Sequence, residues 1–147
     1  MTPDIEIRAI SPEDTLAVRH SVLRKGKPRD TAYFDGDNNP STVHLGMFYN
    51  QHFIGVVTFI ENSRTIGISE WQLRGMAILE TFQGKGLGVF LVNKGEQLAR
   101  KKGIKKIWCN ARIKAKSFYE KLGFSSIGTP FEIGDIGLHY VMEKKLQ

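Results

Sequence analysis

Three glycines fall within five positions in the stretch Gln83-Gly84-Lys85-Gly86-Leu87-Gly88, and no other stretch constrains the chain as much. Ahead of it runs an apolar segment, Leu73-Arg74-Gly75-Met76-Ala77-Ile78-Leu79. Behind it an amphipathic segment extends from Val89 to Lys102. The order reads as strand, glycine-rich loop, helix. Glycine lets backbone amides approach a ligand without a Cβ in the way. The helix that follows offers unpaired N–H groups and the positive end of its dipole. Together they form a cradle for phosphate oxygens.

Four readings compete for this loop. A Walker loop needs four residues between its first glycine and Gly-Lys-Ser/Thr, but Gly86 follows Gly84-Lys85. A dinucleotide loop is half met by Gly84 and Gly86, with Val89 where the third glycine belongs. The next strand, Lys106–Cys109, is followed by Asn110 rather than a ribose-binding acid. The pattern Q/R-x-x-G-x-G/A is filled at every defined place, by Gln83, Gly86 and Gly88. The fourth reading is a strand-to-helix turn without a ligand.

At 147 residues the chain is expected to be one domain, 1–147, with a sizeable core. No apolar run approaches the ~20 residues needed to span a bilayer. The opening Met1-Thr2-Pro3-Asp4-Ile5-Glu6 lacks a basic region followed by an apolar one, so no signal peptide is expected. A single cysteine, Cys109, rules out an internal disulfide, and a cytoplasmic location fits both features. The net charge of +6 suits an anionic ligand. Its densest run, Arg100 to Lys106, has no interleaved aromatics and reads as a helix C-terminus capped by Gly103, so neither nucleic acid nor membrane is an expected partner.

In chain order, Ile5–Ile10 alternates as a strand. Ser11-Pro12-Glu13-Asp14 reads as a helix start, with Ser11 as cap and the helix reaching Arg24. Lys25 to Ser41 is a long polar loop holding a short helical turn. Val43–Tyr49 and Phe53–Glu61 form a hairpin around Asn50-Gln51-His52. Ile66–Leu79 holds one strand, with Gly75 marking a bulge or a close backbone approach. The spacing predicts a helix from Gly86 to Lys102, its Leu87, Phe90, Leu91 and Leu98 turned to the sheet. Lys106–Asn110 follows as a strand, giving a parallel β-α-β unit. A helix over Lys114–Leu122 precedes two closing strands, Ser125–Thr129 and Leu138–Lys144, with Pro130–Gly137 as their loop.

The glycine loop, Gln72-Leu73-Arg74-Gly75-Met76-Ala77 before it, Trp108-Cys109-Asn110-Ala111-Arg112 after it, and Phe118-Tyr119-Glu120-Lys121-Leu122-Gly123-Phe124 together resemble the GNAT superfamily of N-acetyltransferases, a bacterial-type branch of undefined acceptor. The resemblance covers Val43 to Lys144. It implies an α/β fold in three layers: a mixed, mostly antiparallel sheet of six to seven strands with a central parallel β-α-β unit, flanked by about four helices. It implies an acyltransferase moving the acetyl group of acetyl-CoA to an amine through a tetrahedral intermediate. Amides of Gln83, Gly84, Lys85, Gly86, Leu87 and Gly88 would hold the pyrophosphate, and Met76, Ala77 and Ile78 the thioester end. Asn110 and Ser117 are further candidates for the cofactor. Tyr119 is the candidate acid for the leaving thiolate, also near the cofactor, and Glu70 the candidate base acting through water. No metal-ligand spacing appears.

His44 and His139 are expected to be structural, and Cys109 an inert core thiol. Arg74 and Arg112 flank the expected site, where Arg74 could meet an acidic group or pair on the surface. The loop acids Asp35, Asp37, Glu132 and Asp135 favour a cationic amine among acceptors that range from small amines to protein amines. The family also suggests a homodimer through the C-terminal strands. The competing reading is an acetyl-CoA-binding sensor or scaffold without turnover.

Overall fold

In the computed structural model, which describes residues 2–134 and 136–146, seven strands supply the framework. They are β1 (Ile5–Ala9), β2 (Val43–Tyr49), β3 (His52–Glu61), β4 (Glu70–Ile78), β5 (Lys106–Arg112), β6 (Ser125–Ile133) and β7 (Gly137–Lys145). The α-helices are α1 (Thr15–Leu23), α2 (Gly88–Lys101) and α3 (Lys116–Lys121). The strands form one mixed sheet in the order β1-β2-β3-β4-β5-β7-β6, with β4 and β5 parallel. This is the expected α/β fold. The described residues hold three α-helices rather than about four, because the long loop contributes only a 3-10 turn at Arg29–Ala32.

Contacts gather the chain into two compact units, Met1–Ile60 with Arg74–Gln97, and Glu61–Leu73 with Leu98–Gln147. In the first, β1 runs antiparallel to β2 from Ile5↔Tyr49 to Ala9↔Leu45. The β2–β3 turn places Asn50 and Gln51 at φ 47° and 72°, the left-handed pair whose twist matches a two-residue hairpin. Asn50 Oδ1 accepts from the Asp4 amide at 2.8 Å, tying the turn to the start of β1. β3 is buried without a break from Ile54 to Ile60, as befits an interior strand. Val18 of α1 packs with Val56 and Ala77, ringed by Ile10, Val22, Leu23, Phe53 and Leu79.

Two helix expectations change in detail. α1 begins at Thr15, because Ser11 and Asp14 satisfy each other: Ser11 Oγ accepts from the Asp14 amide, and Asp14 Oδ2 from the Ser11 amide, both at 3.2 Å. Pro12 and Glu13 thus form a turn ahead of the helix. In α2 the buried stripe is Leu91, Val92, Gly95, Glu96 and Ala99, and Phe90 is 45% exposed instead of facing the sheet. Gly95 sets that stripe, since a Cβ there would overlap the Phe59 ring.

In the second unit the parallel ladder runs from Glu70↔Lys106 to Leu73↔Cys109. β5 pairs antiparallel with β7 from Lys106↔Lys145 to Arg112↔His139. Trp71, Ile107 and Met142 are buried here. Pro130 to Ile133, expected in a loop, belong to β6. The β6–β7 register shifts between Ile127 and Phe131, and β6 lies at the sheet edge, where a proline is tolerated. Asp135 lies outside the described residues. No helix among the described residues is long and apolar enough to cross a membrane.

Candidate functional site

The glycine loop follows β4 after a 3-10 turn at Glu80–Phe82. The Gln83 side chain folds back, donating Nε2–H to the Ile78 carbonyl at 2.7 Å. This bond joins the loop to the strand end and makes Gln83 a brace as well as a motif residue. Gly84 and Gly86 take left-handed φ of +77° and +73°, with Lys85 between them on the ordinary side. Such alternation turns successive amides toward one concavity, a nest for an anion. Among the described residues the amides of Gly84, Lys85, Gly86 and Leu87 find no acceptor. A Cβ at Gly84 or Gly86 would meet nothing within 4 Å, so the space over the nest is clear. α2 starts at Gly88 and adds its dipole. The residues present therefore fit a pyrophosphate.

Upstream, Met76 and Ile78 are half-buried and Ala77 is buried. They lie on β4 beyond Leu73, the last residue of the parallel ladder. Gly75 has φ +60° inside the strand, the irregularity expected of a glycine there. A Cβ on it would sit 2.9 Å from Arg19 Nε and 3.0 Å from Phe34 Cε2. This glycine thus admits a guanidinium and an aromatic ring against the strand.

Those two groups belong to a buried network that the sequence reading missed. Arg19 is fully buried on α1. It grips Asp37 with both ends of its fork, Nη1 to Oδ2 at 2.6 Å and Nη2 to Oδ1 at 3.0 Å. It also donates to the Ala32 carbonyl at 2.9 Å and to Thr58 Oγ1 at 2.8 Å. His44 completes the set, with Nδ1 2.7 Å from Thr58 Oγ1 and Nε2 2.9 Å from the Asp37 carbonyl oxygen. The carbonyl can only accept, so Nε2 carries hydrogen. Burial pushes the Asp37 carboxyl up, but hydrogen bonds from Arg19 and the Phe34 amide, with the Arg19 charge, outweigh it and leave the group below its ordinary value. Asp37 is therefore neutralised inside the protein and does not face an acceptor as expected. The signal was present: Arg19 occupies the stripe Leu16-Arg19-Leu23, where α1 should be apolar. Segment 33–39 lines a cleft of about 450 Å³ beside this network.

In the second unit Tyr119 is buried on α3, with the Phe118 ring at 5.0 Å and the Phe124 ring at 5.5 Å. Burial, the main cause, with Cys109 acting in the same direction, pushes its phenol well above the ordinary value of 10, so it stays protonated at neutral pH. Asn110 and Ser117 are exposed, and among the described residues their side chains have no hydrogen-bond partner. Cys109 is buried, and burial pushes its thiol up to about 12, the environment of an inert thiol. His139 is buried with Nδ1 2.8 Å from the Gly137 carbonyl oxygen. Glu70 is 1% exposed at the start of β4. Its Oε1 accepts from the Arg64 amide at 3.0 Å, and its Oε2 lies 3.8 Å from Lys106 Nζ, which also pairs with Glu143 at 2.9 Å. The buried Glu70 side chain thus lies between the Arg64 amide and Lys106.

Residues 9–124 match the model described as the Acetyltransferase (GNAT) family. The chain is 36% identical over 145 residues, 97% of either chain, to the Bacillus subtilis (strain 168) protein named Uncharacterized N-acetyltransferase YitI. Its fold is similar to that of a PaiA N-acetyltransferase from Thermoplasma acidophilum in complex with coenzyme A, with TM-score 0.74 and 21% identity over 97% of this chain and 99% of that one. It is similar also to FeeM, an N-acyl amino acid synthase from uncultured soil microbes, with TM-score 0.77 and 18% identity over 98% of this chain and 92% of that one. The structural likenesses speak for the fold, and the family match and the B. subtilis relative speak for descent. The family match and the B. subtilis relative thus make the chain an acyltransferase that belongs to the Acetyltransferase (GNAT) family.

Proposed function

We propose that the protein transfers the acetyl group of acetyl-CoA to a primary amine by direct attack. The observation that carries this reading is the nest of unpaired amides at Gly84–Leu87 ahead of α2. It offers donors to two phosphate groups without a lysine clamp. Gln83 and Gly88 bound that nest. Backbone groups of Met76, Ala77 and Ile78 orient the thioester, and Asn110 and Ser117 offer uncommitted polar groups to the same cofactor. The neutral amine attacks the carbonyl carbon, and the carbon–sulfur bond breaks as the tetrahedral intermediate collapses. Tyr119 gives its proton to the departing sulfur, and the raised pKa keeps that proton on the phenol at neutral pH until then. Glu70 is the proposed base, through water, but its contacts with the Arg64 amide and Lys106 support a structural role as the alternative. A homodimer through the C-terminal strands is proposed on the exposure of Ile127 and Leu138, and equilibrium sedimentation tests it.

Isothermal calorimetry with acetyl-CoA, with NADH as the control, tests the cofactor. Binding of acetyl-CoA in the micromolar range and no heat from NADH is the expected outcome. Equal heats, or none from acetyl-CoA, would remove the basis of the reading.

A further inference from the structure

Phe34 is the centre of a cluster of cations. The guanidinium carbons of Arg19, Arg74 and Arg24 lie 4.1, 5.1 and 5.2 Å from its ring centroid. Arg19 has its charge paired by Asp37 through both Nη groups. Arg74 is not matched in this way. It is half-buried on β4 and donates Nη1 to the Asp35 carbonyl at 3.0 Å, and among the described residues no carboxylate is in ion-pair contact with it. A guanidinium has five donors in a fixed fork, so one carbonyl leaves most of them uncommitted. Burial works against its charge, and the nearby Asp37 and Asp35 charges offset this only in part.

The cluster is built into the fold. Gly75 clears room for the Phe34 ring and Arg19 against β4. The ring and the Asp35 carbonyl, both from segment 33–39 that lines the cleft, hold Arg74 in place. Arg74 precedes Met76 by two residues on the same strand, so an anion held by Arg74 is brought near the segment proposed to orient the thioester.

We propose that Arg74, seated on Phe34, is a specificity-determining residue that pairs with the carboxylate of the acceptor, so that the acetylated amine belongs to a free amino acid. This rests on the acetyl-transfer reading above. The guanidinium fork fits a carboxylate with two parallel hydrogen bonds. Arg19 already holds both carboxylate oxygens of Asp37, so Asp37 does not compete for the Arg74 fork.

The test is thiol release from acetyl-CoA with L-amino acids, each paired with its amide, and with phosphoethanolamine as a dianionic amine. Wild type is compared with Arg74→Gln and Arg74→Lys. At least one acid should exceed its amide by about 10- to 100-fold in kcat/KM. Arg74→Gln should erase that preference mainly through KM, Arg74→Lys should keep part of it, and calorimetric affinity for acetyl-CoA should be unchanged in both. Equal rates for acid and amide, a preference that survives Arg74→Gln, turnover of phosphoethanolamine alone, or a protein that binds acetyl-CoA but neither binds nor acetylates any of the acids would overturn the proposal. Failure of acetyl-CoA to bind would instead strike the acetyl-transfer reading. Calorimetry of the amino acids without cofactor then still decides Arg74: no heat, or the same heat from Arg74→Gln, overturns its role.

Discussion

Asp37 and Arg19 are separated by 18 residues, and each makes the other tolerable. The pair is buried, bidentate and joined to Thr58, His44 and the Ala32 carbonyl, so removing one charge leaves the other without compensation. Asp37→Asn is expected to cost about 3–5 kcal/mol near neutral pH, measured by urea unfolding. The sign with pH follows from the depressed carboxyl. Its contribution is fully present above the ordinary value of 3.8 and is lost as pH falls through the lower folded value. The gap between wild type and variant should therefore close in acid, and a gap that widened there would refute the assignment. Tyr119 carries a different expectation. If it is the acid, Tyr119→Phe should lower kcat by about 10²- to 10⁴-fold with acetyl-CoA affinity preserved. The companion Glu70→Gln separates base from brace. A base shifts the acidic limb of the pH–rate profile, whereas a brace lowers Tm and leaves that limb in place.

Among the elements, α2 is seated by what it lacks. Its stripe turns toward β3 at Gly95, where the Phe59 ring occupies the space a Cβ would need. Alanine ordinarily stabilises a helix interior relative to glycine by about 1 kcal/mol. Here the overlap should win, since overpacking a fully buried aromatic costs about 1–3 kcal/mol. Gly95→Ala is thus expected to melt earlier than wild type. Pairing it with Phe59→Leu should recover part of the loss, because neighbours that share a space are not additive. A Gly95→Ala protein as stable as wild type would show that β3 and α2 can separate cheaply, contrary to this packing. The same stripe explains Phe90: once Gly95 faces the strand, the 100° step per residue carries Phe90 outward.

For the whole molecule, ligand linkage gives a direct expectation. A cofactor that binds only the folded chain stabilises it by about 2.7 kcal/mol at 100 times its Kd. Acetyl-CoA at that excess should raise Tm by several degrees. Gly86→Glu, which puts a carboxylate into the anion nest at a φ of +73°, should abolish the shift while the variant still unfolds cooperatively. A shift that persisted in the variant would locate the cofactor elsewhere. The features legible in the sequence were those whose causes are local. Gln83–Gly88 declares itself because left-handed φ and an open backbone are properties of glycine in its own place. Asn50-Gln51 does so because a two-residue hairpin demands a particular twist. The β2–β3 hairpin and the strand-helix-strand unit around α2 follow from periods of 2.0 and 3.6 that the residues carry with them. The choices that needed the tertiary structure involve partners distant in the chain. Asp37 reads as a loop acid suited to a cationic amine until Arg19 is placed against it, and the contact of Glu70 with Lys106 exists only once β4 and β5 lie in register. Phe34 and Arg74, 40 residues apart in the sequence, meet only because Gly75 yields room on β4. Sequence by itself determined the glycine loop and most strands and helices, since backbone geometry and periodicity are written locally, and its motifs carried the family resemblance that implied the fold class. Tertiary structure alone decided which charges are spent on holding the protein together and which are left for a ligand, because the fate of a charge depends on the groups that folding brings within a few ångströms of it.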